Sequence, residues 1–192
     1  MFPSATTDLD PACAGGQVIC VTGGSMKKYL LGICVLFCLG AATDTVVTTP
    51  AYSLKLGPGW VEVPPTDPEQ VNYFSPKENI YFVGSAMILQ GARPEQLEKI
   101  ANKLRDMRIK AEEHVAAEAS RHVTVAEPLV AKFADGYQVA YWGHDDKHRE
   151  FRYLGIVSTK YIASVYVESP SRSQQDIDNY FNTLLKSLVL AK

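Results

Sequence analysis

Three stretches of period-two alternation follow one another between Tyr137 and Glu168, and no other feature narrows the fold as much. The first runs from about Tyr137 to Gly143, with Tyr137, Val139 and Tyr141 in one phase and Gln138 and Ala140 in the other. The second runs from about Glu150 to Ser158 and keeps Phe151, Tyr153 and Val157 in phase. The third, from about Lys160 to Glu168, does the same with Tyr161, Ala163, Val165 and Val167. Aromatic and β-branched residues at every second position mark half-buried strands. The links, Asp145-Asp146-Lys147 and Ser158-Thr159-Lys160, are short and polar, and short links join only antiparallel neighbours. A helix is expected next, at about 172–189, with Ile177, Tyr180, Phe181, Leu184, Leu185 and Leu188 at helical spacing. Ser173 with Asp176 three residues on reads as its capping box. The C-terminal half is therefore a meander with a helix laid on it, and the remainder must extend or cover that sheet.

Upstream, Tyr52–Leu56 alternates and reads as a strand, Gly57-Pro58-Gly59 turns, and Trp60–Val63 resumes the alternation. Pro64–Gln70 reads as a loop, Asn72–Phe74 as a brief contact with the sheet, and Asn79–Leu89 as a strong strand. Pro94 opens a helix predicted over about 94–118. Leu97, Ile100, Ala101, Leu104, Ala111 and Val115 form its apolar stripe. Lys99, Lys103, Arg105, Asp106, Glu112 and Glu113 fill the other face, which reads as solvated. Val123–Val125 and Leu129–Phe133 read as strand pieces around Pro128, which belongs at an edge or a bulge. Asp135-Gly136 is a hairpin signal.

The N-terminal segment bears on compartment. Met26-Lys27-Lys28 precedes the short apolar run Tyr29–Leu39, and the small residues Gly40-Ala41-Ala42 follow it. A charged start, a short apolar run and a small-residue exit read as a secretory signal peptide over 26–42, cleaved near Ala42. The run is shorter than the roughly 20 residues of a membrane span. Residues 1–25 read as an extension ahead of the true start, residues 43–50 as a loose leader, and 51–192 as one domain. The bulky Ile33 and Phe37 before Cys34 and Cys38 argue against lipidation. All four cysteines (Cys13, Cys20, Cys34, Cys38) precede the cleavage point, so the expected mature chain is held by its core and not by disulfides. Without Lys27, Lys28, Asp8 and Asp10 the totals of 19 bases and 21 acids fall to 17 and 19. That balance argues against a nucleic-acid surface.

The order of elements resembles the PsbP/Mog1-like fold, and within it the exported bacterial DcrB-like group. The residues that carry the resemblance are the opening Tyr52-Ser53-Leu54-Lys55-Leu56-Gly57-Pro58-Gly59-Trp60 and the closing Phe181–Leu185, Ser187 and Leu188. They are structural residues, spread over about 50–192. The resemblance implies an α+β fold, an antiparallel β-sheet packed by two main helices, used in that family mostly for binding other proteins. It carries over no catalytic residue.

Chemistry is sparse along the chain. No cysteine nucleophile remains in the expected mature part, and no Gly-x-Ser-x-Gly or His-Glu-x-x-His motif occurs. The densest polar stretch is His144-Asp145-Asp146-Lys147-His148-Arg149-Glu150. His144 and His148 could approach one metal ion. The simpler reading is a charged hairpin tip, with Lys147 and Arg149 repelling a cation. His114 sits near the end of the predicted long helix, where a cation suits the dipole, and His122 reads as loop with no acidic or cysteine companion at ligand spacing. The residues expected to meet a partner are therefore His144, Asp145, Asp146, Lys147, His148 and Arg149, with no metal, no cofactor and no catalytic site. The chain reads as an exported periplasmic, non-enzymatic module that binds a periplasmic or secreted protein, as an immunity or secretion-associated protein does. The alternatives are an envelope housekeeping protein that binds a small ligand or metal, and a hydrolase with a dispersed site. A deep apolar pocket with convergent polar groups would favour these alternatives.

Overall fold

The computed structural model describes residues 43–65 and 67–191. In chain order these form β1 (Thr45–Thr48), β2 (Tyr52–Gly57), β3 (Val61–Val63), β4 (Gln70–Ser75), β5 (Ile80–Ile88), a 3₁₀ turn at Pro94–Gln96, α1 (Leu97–Glu118), β6 (Val123–Val125), β7 (Leu129–Phe133), β8 (Gly136–Asp145), β9 (Glu150–Val157), β10 (Tyr161–Ser169), α2 (Gln174–Lys186) and β11 (Val189–Leu190). The expected extension over 1–25 and signal segment over 26–42 lie outside the described residues.

The fold is α+β with antiparallel sheets. The large sheet has the order β3-β4-β5-β10-β9-β8-β6, and β7 also pairs with β8. Its centre is the predicted meander, with Tyr141 opposite Tyr153 and Tyr153 opposite Tyr166. A small sheet, β1-β2-β11, completes the strands. Because side chains alternate across a strand, the inner strands β5, β9 and β10 feed two cores. On one face Phe82, Val165 and Val167 meet Leu54, Leu56, Ile177 and Leu184, so the small sheet and α2 close that side. On the other face Tyr141, Phe151, Tyr153 and Tyr166 lie with Leu97 and Ala101 of α1.

The caps and breaks follow local chemistry. Ser173 accepts from the Asp176 amide at 3.2 Å and starts α2. Buried Arg152 of β9 anchors the helix by pairing with Asp178 and donating to the Gln174 carbonyl at 3.3 Å. Pro128 separates β6 from β7, which both run along β8 at the end of the large sheet.

Several expectations are corrected. The predicted leader contains β1, whose Val47 is buried because the strand pairs with β2. The brief contact at Asn72–Phe74 is a six-residue strand on β5. The terminal helix is shorter at both ends. Ser187 ends it by donating to the Leu184 carbonyl at 2.8 Å, and Val189–Leu190 then adds to β2. Leu188 therefore packs on the core from beyond the helix. On α1 Val115 is half exposed, whereas Glu112, expected in solvent, is buried.

Candidate functional site

The α1-facing side of the large sheet contains a row of small residues. Ser164 of β10 stands opposite Gly155 of β9 on one side and Ser85 of β5 on the other. The adjoining row on one flank is Tyr141, Tyr153, Tyr166 and Val83. On the other flank it is Tyr137, Val157, Ile162 and Met87. Large side chains on both flanks and small ones between them make a trough across the sheet. α1 packs chiefly on β8 and β9 and roofs only part of it. The result is a hollow of about 440 Å³ walled by Met87, Leu89, Ile100, Leu104, Met107 and Ile162. Ligand pockets typically span about 300–1,000 Å³ and are mostly apolar with a few placed polar groups.

Two polar atoms here lack well-formed hydrogen bonds. The Tyr153 ring is fully buried and stacked on Tyr141 at 4.8 Å; the Ser164 side chain lies close enough to its hydroxyl to act on it, but no well-formed hydrogen bond satisfies that hydroxyl. Neighbouring Ser164 is engaged with Ser85 at 2.6 Å. A side chain at position 155 would crowd that hydroxyl, since a Cβ on Gly155 would sit 2.7 Å from it and 3.0 Å from Leu104 Cδ2. Burial pushes the Tyr153 hydroxyl up to about 12, so it is a proton donor at any physiological pH. Arg108 lies over the Tyr153 ring at 4.9 Å, and its Nε is also buried without a partner. An unmade hydrogen bond at a buried group costs about 1–3 kcal/mol. Tyr153 and Arg108, the residues that carry these two atoms, are both part of the wall of the hollow. A wider groove of about 670 Å³ beside β7 is more open and polar, and Tyr137 there donates to Glu98 at 3.1 Å. Among the described residues, no buried unpartnered atom belongs to its lining.

Beyond Arg108 the same face becomes ionic. Arg149 pairs with Glu112 at 3.2 Å, Glu168 at 2.9 Å and Asp145 at 3.4 Å. Asp145 also holds Arg121 at 3.0 Å, and Tyr141 donates to Glu112 at 3.3 Å. Desolvation pushes the Glu112 carboxyl above its usual range, and Arg149 and Arg108 only partly offset this. For Asp145 desolvation acts the same way, but the Arg149 and Lys147 amides and the Arg121 guanidinium outweigh it and hold the carboxyl below its usual range.

These positions revise the expected site. Asp145 and Arg149 are buried and turned inward, so they do not form part of an exposed hairpin tip. The Asp145 carboxylate accepts from the Lys147 amide at 2.8 Å and the Arg149 amide at 3.0 Å, which folds the turn around it. His144, Asp146, Lys147 and His148 remain exposed. Among the described residues no three His, Cys, Asp or Glu side chains are placed to hold a metal ion. The hollow was missed from sequence because its floor depends on register: Ser85, Gly155 and Ser164 lie on three different strands.

The pH sign for Asp145 follows from its lowered value. Its stabilising contribution is present above the unfolded carboxylate range, about pH 4, and is lost as pH falls through the folded value. Asp145→Asn is therefore expected to be less stable than the parent near neutrality, with the gap closing below about pH 4. Urea midpoints measured across that range check this, and a gap independent of pH would contradict it.

Among solved structures the chain is similar to cyanobacterial PsbP (CyanoP) from Synechocystis sp. PCC 6803, with a TM-score of 0.58 and 10% identity over 84% of this chain and 99% of that one. The fold is therefore PsbP-like. A protein from Bacteroides thetaiotaomicron VPI-5482 is also similar, with a TM-score of 0.39 and 9% identity over 73% of this chain and 45% of its own. No family model and no curated protein matches the chain in sequence.

Proposed function

We propose that the chain is an exported, non-enzymatic binding module whose PsbP-like scaffold holds a small apolar ligand between α1 and the large sheet. The observation that carries this is the pair of buried, unpartnered donors, Tyr153 Oη and Arg108 Nε, at the wall of an apolar hollow. Export rests on the signal-like segment at 26–42, and the absence of a catalytic motif supports a binding role. A second reading keeps the protein partner. Val61, Tyr81, Met87 and Met107 are exposed to between 40% and 58%, and exposed apolar surface favours a protein contact. In that reading a periplasmic or secreted protein covers this surface, with His144, Asp146, Lys147 and His148 available at the hairpin.

The neutral dye Nile red separates the two. It should bind the mature protein, whose mass should begin near Thr43, saturably and one to one, and Leu104→Trp should abolish binding by filling the hollow. Dye binding that survives Leu104→Trp would place the apolar site on the open sheet and favour the protein partner.

A further inference from the structure

The hollow has a chemical preference built into it, and we infer that its ligand is an apolar carboxylic acid, its carboxylate taken by Tyr153 and Arg108 and its hydrocarbon part by the wall between α1 and β10. This rests on the ligand-binding reading above. Arg108 Nε can only donate, and the Tyr153 hydroxyl donates as well as accepts, so an acceptor is the one group that serves both. A carboxylate has two oxygens and about four acceptor positions, and so can serve both donors and the Ser85–Ser164 hydroxyl pair together. Charge points the same way. Lys103 and Arg108 of α1 line the hollow and only Glu69, exposed at its margin, opposes them. Burial disfavours the Arg108 charge, but the two tyrosines beside it and Glu112 outweigh that and hold its proton more firmly than usual. Glu112 lies 3.7 Å from Arg108 and is already paired with Arg149, so it leaves the Arg108 Nε free for a ligand.

The apolar part follows from the wall. Met87, Leu89, Ile100, Leu104, Met107 and Ile162 present no hydrogen-bonding side chain to a sugar or a peptide. Two methionines at the opening, Met87 and Met107, supply flexible side chains that can close over a chain or a ring. A hydrophobic acid meets all three requirements: an acceptor at the closed end, one negative charge and a hydrocarbon body.

Displacement of Nile red from the full mature protein tests this with decanoate, decanol and decyltrimethylammonium as competitors. Decanoate should displace the dye at least tenfold more effectively than decanol, and the cation should be weakest. Tyr153→Phe keeps the ring stack and removes only the unpartnered hydroxyl. It should fold, melt at a higher temperature than the parent, and lose most of the preference for decanoate over decanol while binding decanol unchanged. Arg108→Lys keeps the charge beside Glu112, removes the Nε donor, and should also reduce the preference. Equal displacement by decanoate and decanol would overturn the carboxylate assignment while leaving a ligand site. Failure of Nile red and decanoate alike would remove the ligand site itself.

Discussion

Arg149→Ala is expected to cost about 3–5 kcal/mol of folding stability, the usual loss when one member of a buried charge cluster is removed. The guanidinium is 10% exposed and reaches Glu112, which is 5% exposed, and Asp145, which is fully buried. Deleting it leaves buried Glu112 with only the more distant Arg108, at 3.7 Å, and takes one of two guanidinium partners from Asp145. It also removes the donor that the Tyr166 hydroxyl accepts from at 3.3 Å, leaving that hydroxyl with its own bond to Glu168 at 2.8 Å. Urea unfolding of parent and variant at neutral pH measures the difference. A loss below about 1 kcal/mol would match an exposed surface pair and contradict the buried arrangement. The experiment also bears on function, because the exposed hairpin tip expected from sequence predicts a small effect on folding and a large one on partner binding.

Leu184→Ala is expected to cost about 2–5 kcal/mol, through lost apolar burial and the cavity left behind. Leu184 is 3% exposed and packs with Ile177 into the core beneath the small sheet. Its neighbour Leu185 is only half buried, so Leu185→Ala should cost clearly less. Denaturation of the two variants side by side tests whether α2 is docked by the face described. Equal losses would mean that the helix is rotated.

The parts legible in the sequence were those with a strong local period. The three strands of the meander kept their phase, and Ser173 capped the last helix. Short pairings were harder. Thr45–Thr48 and Val189–Leu190 become strands only because β2 lies between them. The stripe of α1 shows the limit most clearly. After Leu104 it can continue through Ala111 and Val115, or through Arg108, Glu112 and Ala116 at intervals of four. Hydrophobicity favours the first course, but the fold takes the second because Arg149 arrives from a distant hairpin to neutralise Glu112. That rotation places Arg108 over Tyr153 and so shapes the hollow. Intervals of four alone gave no reason to choose a polar stripe.

The position of a bound ligand is the most direct test of the hollow's role. A crystal structure of the mature protein grown with decanoate should show the carboxylate within hydrogen-bonding reach of Tyr153 Oη and Arg108 Nε, and the chain between Leu104, Met107 and Ile162. Decanoate bound only elsewhere on the protein, or a hollow closed by Met87 and Met107 with no ligand inside, would contradict it.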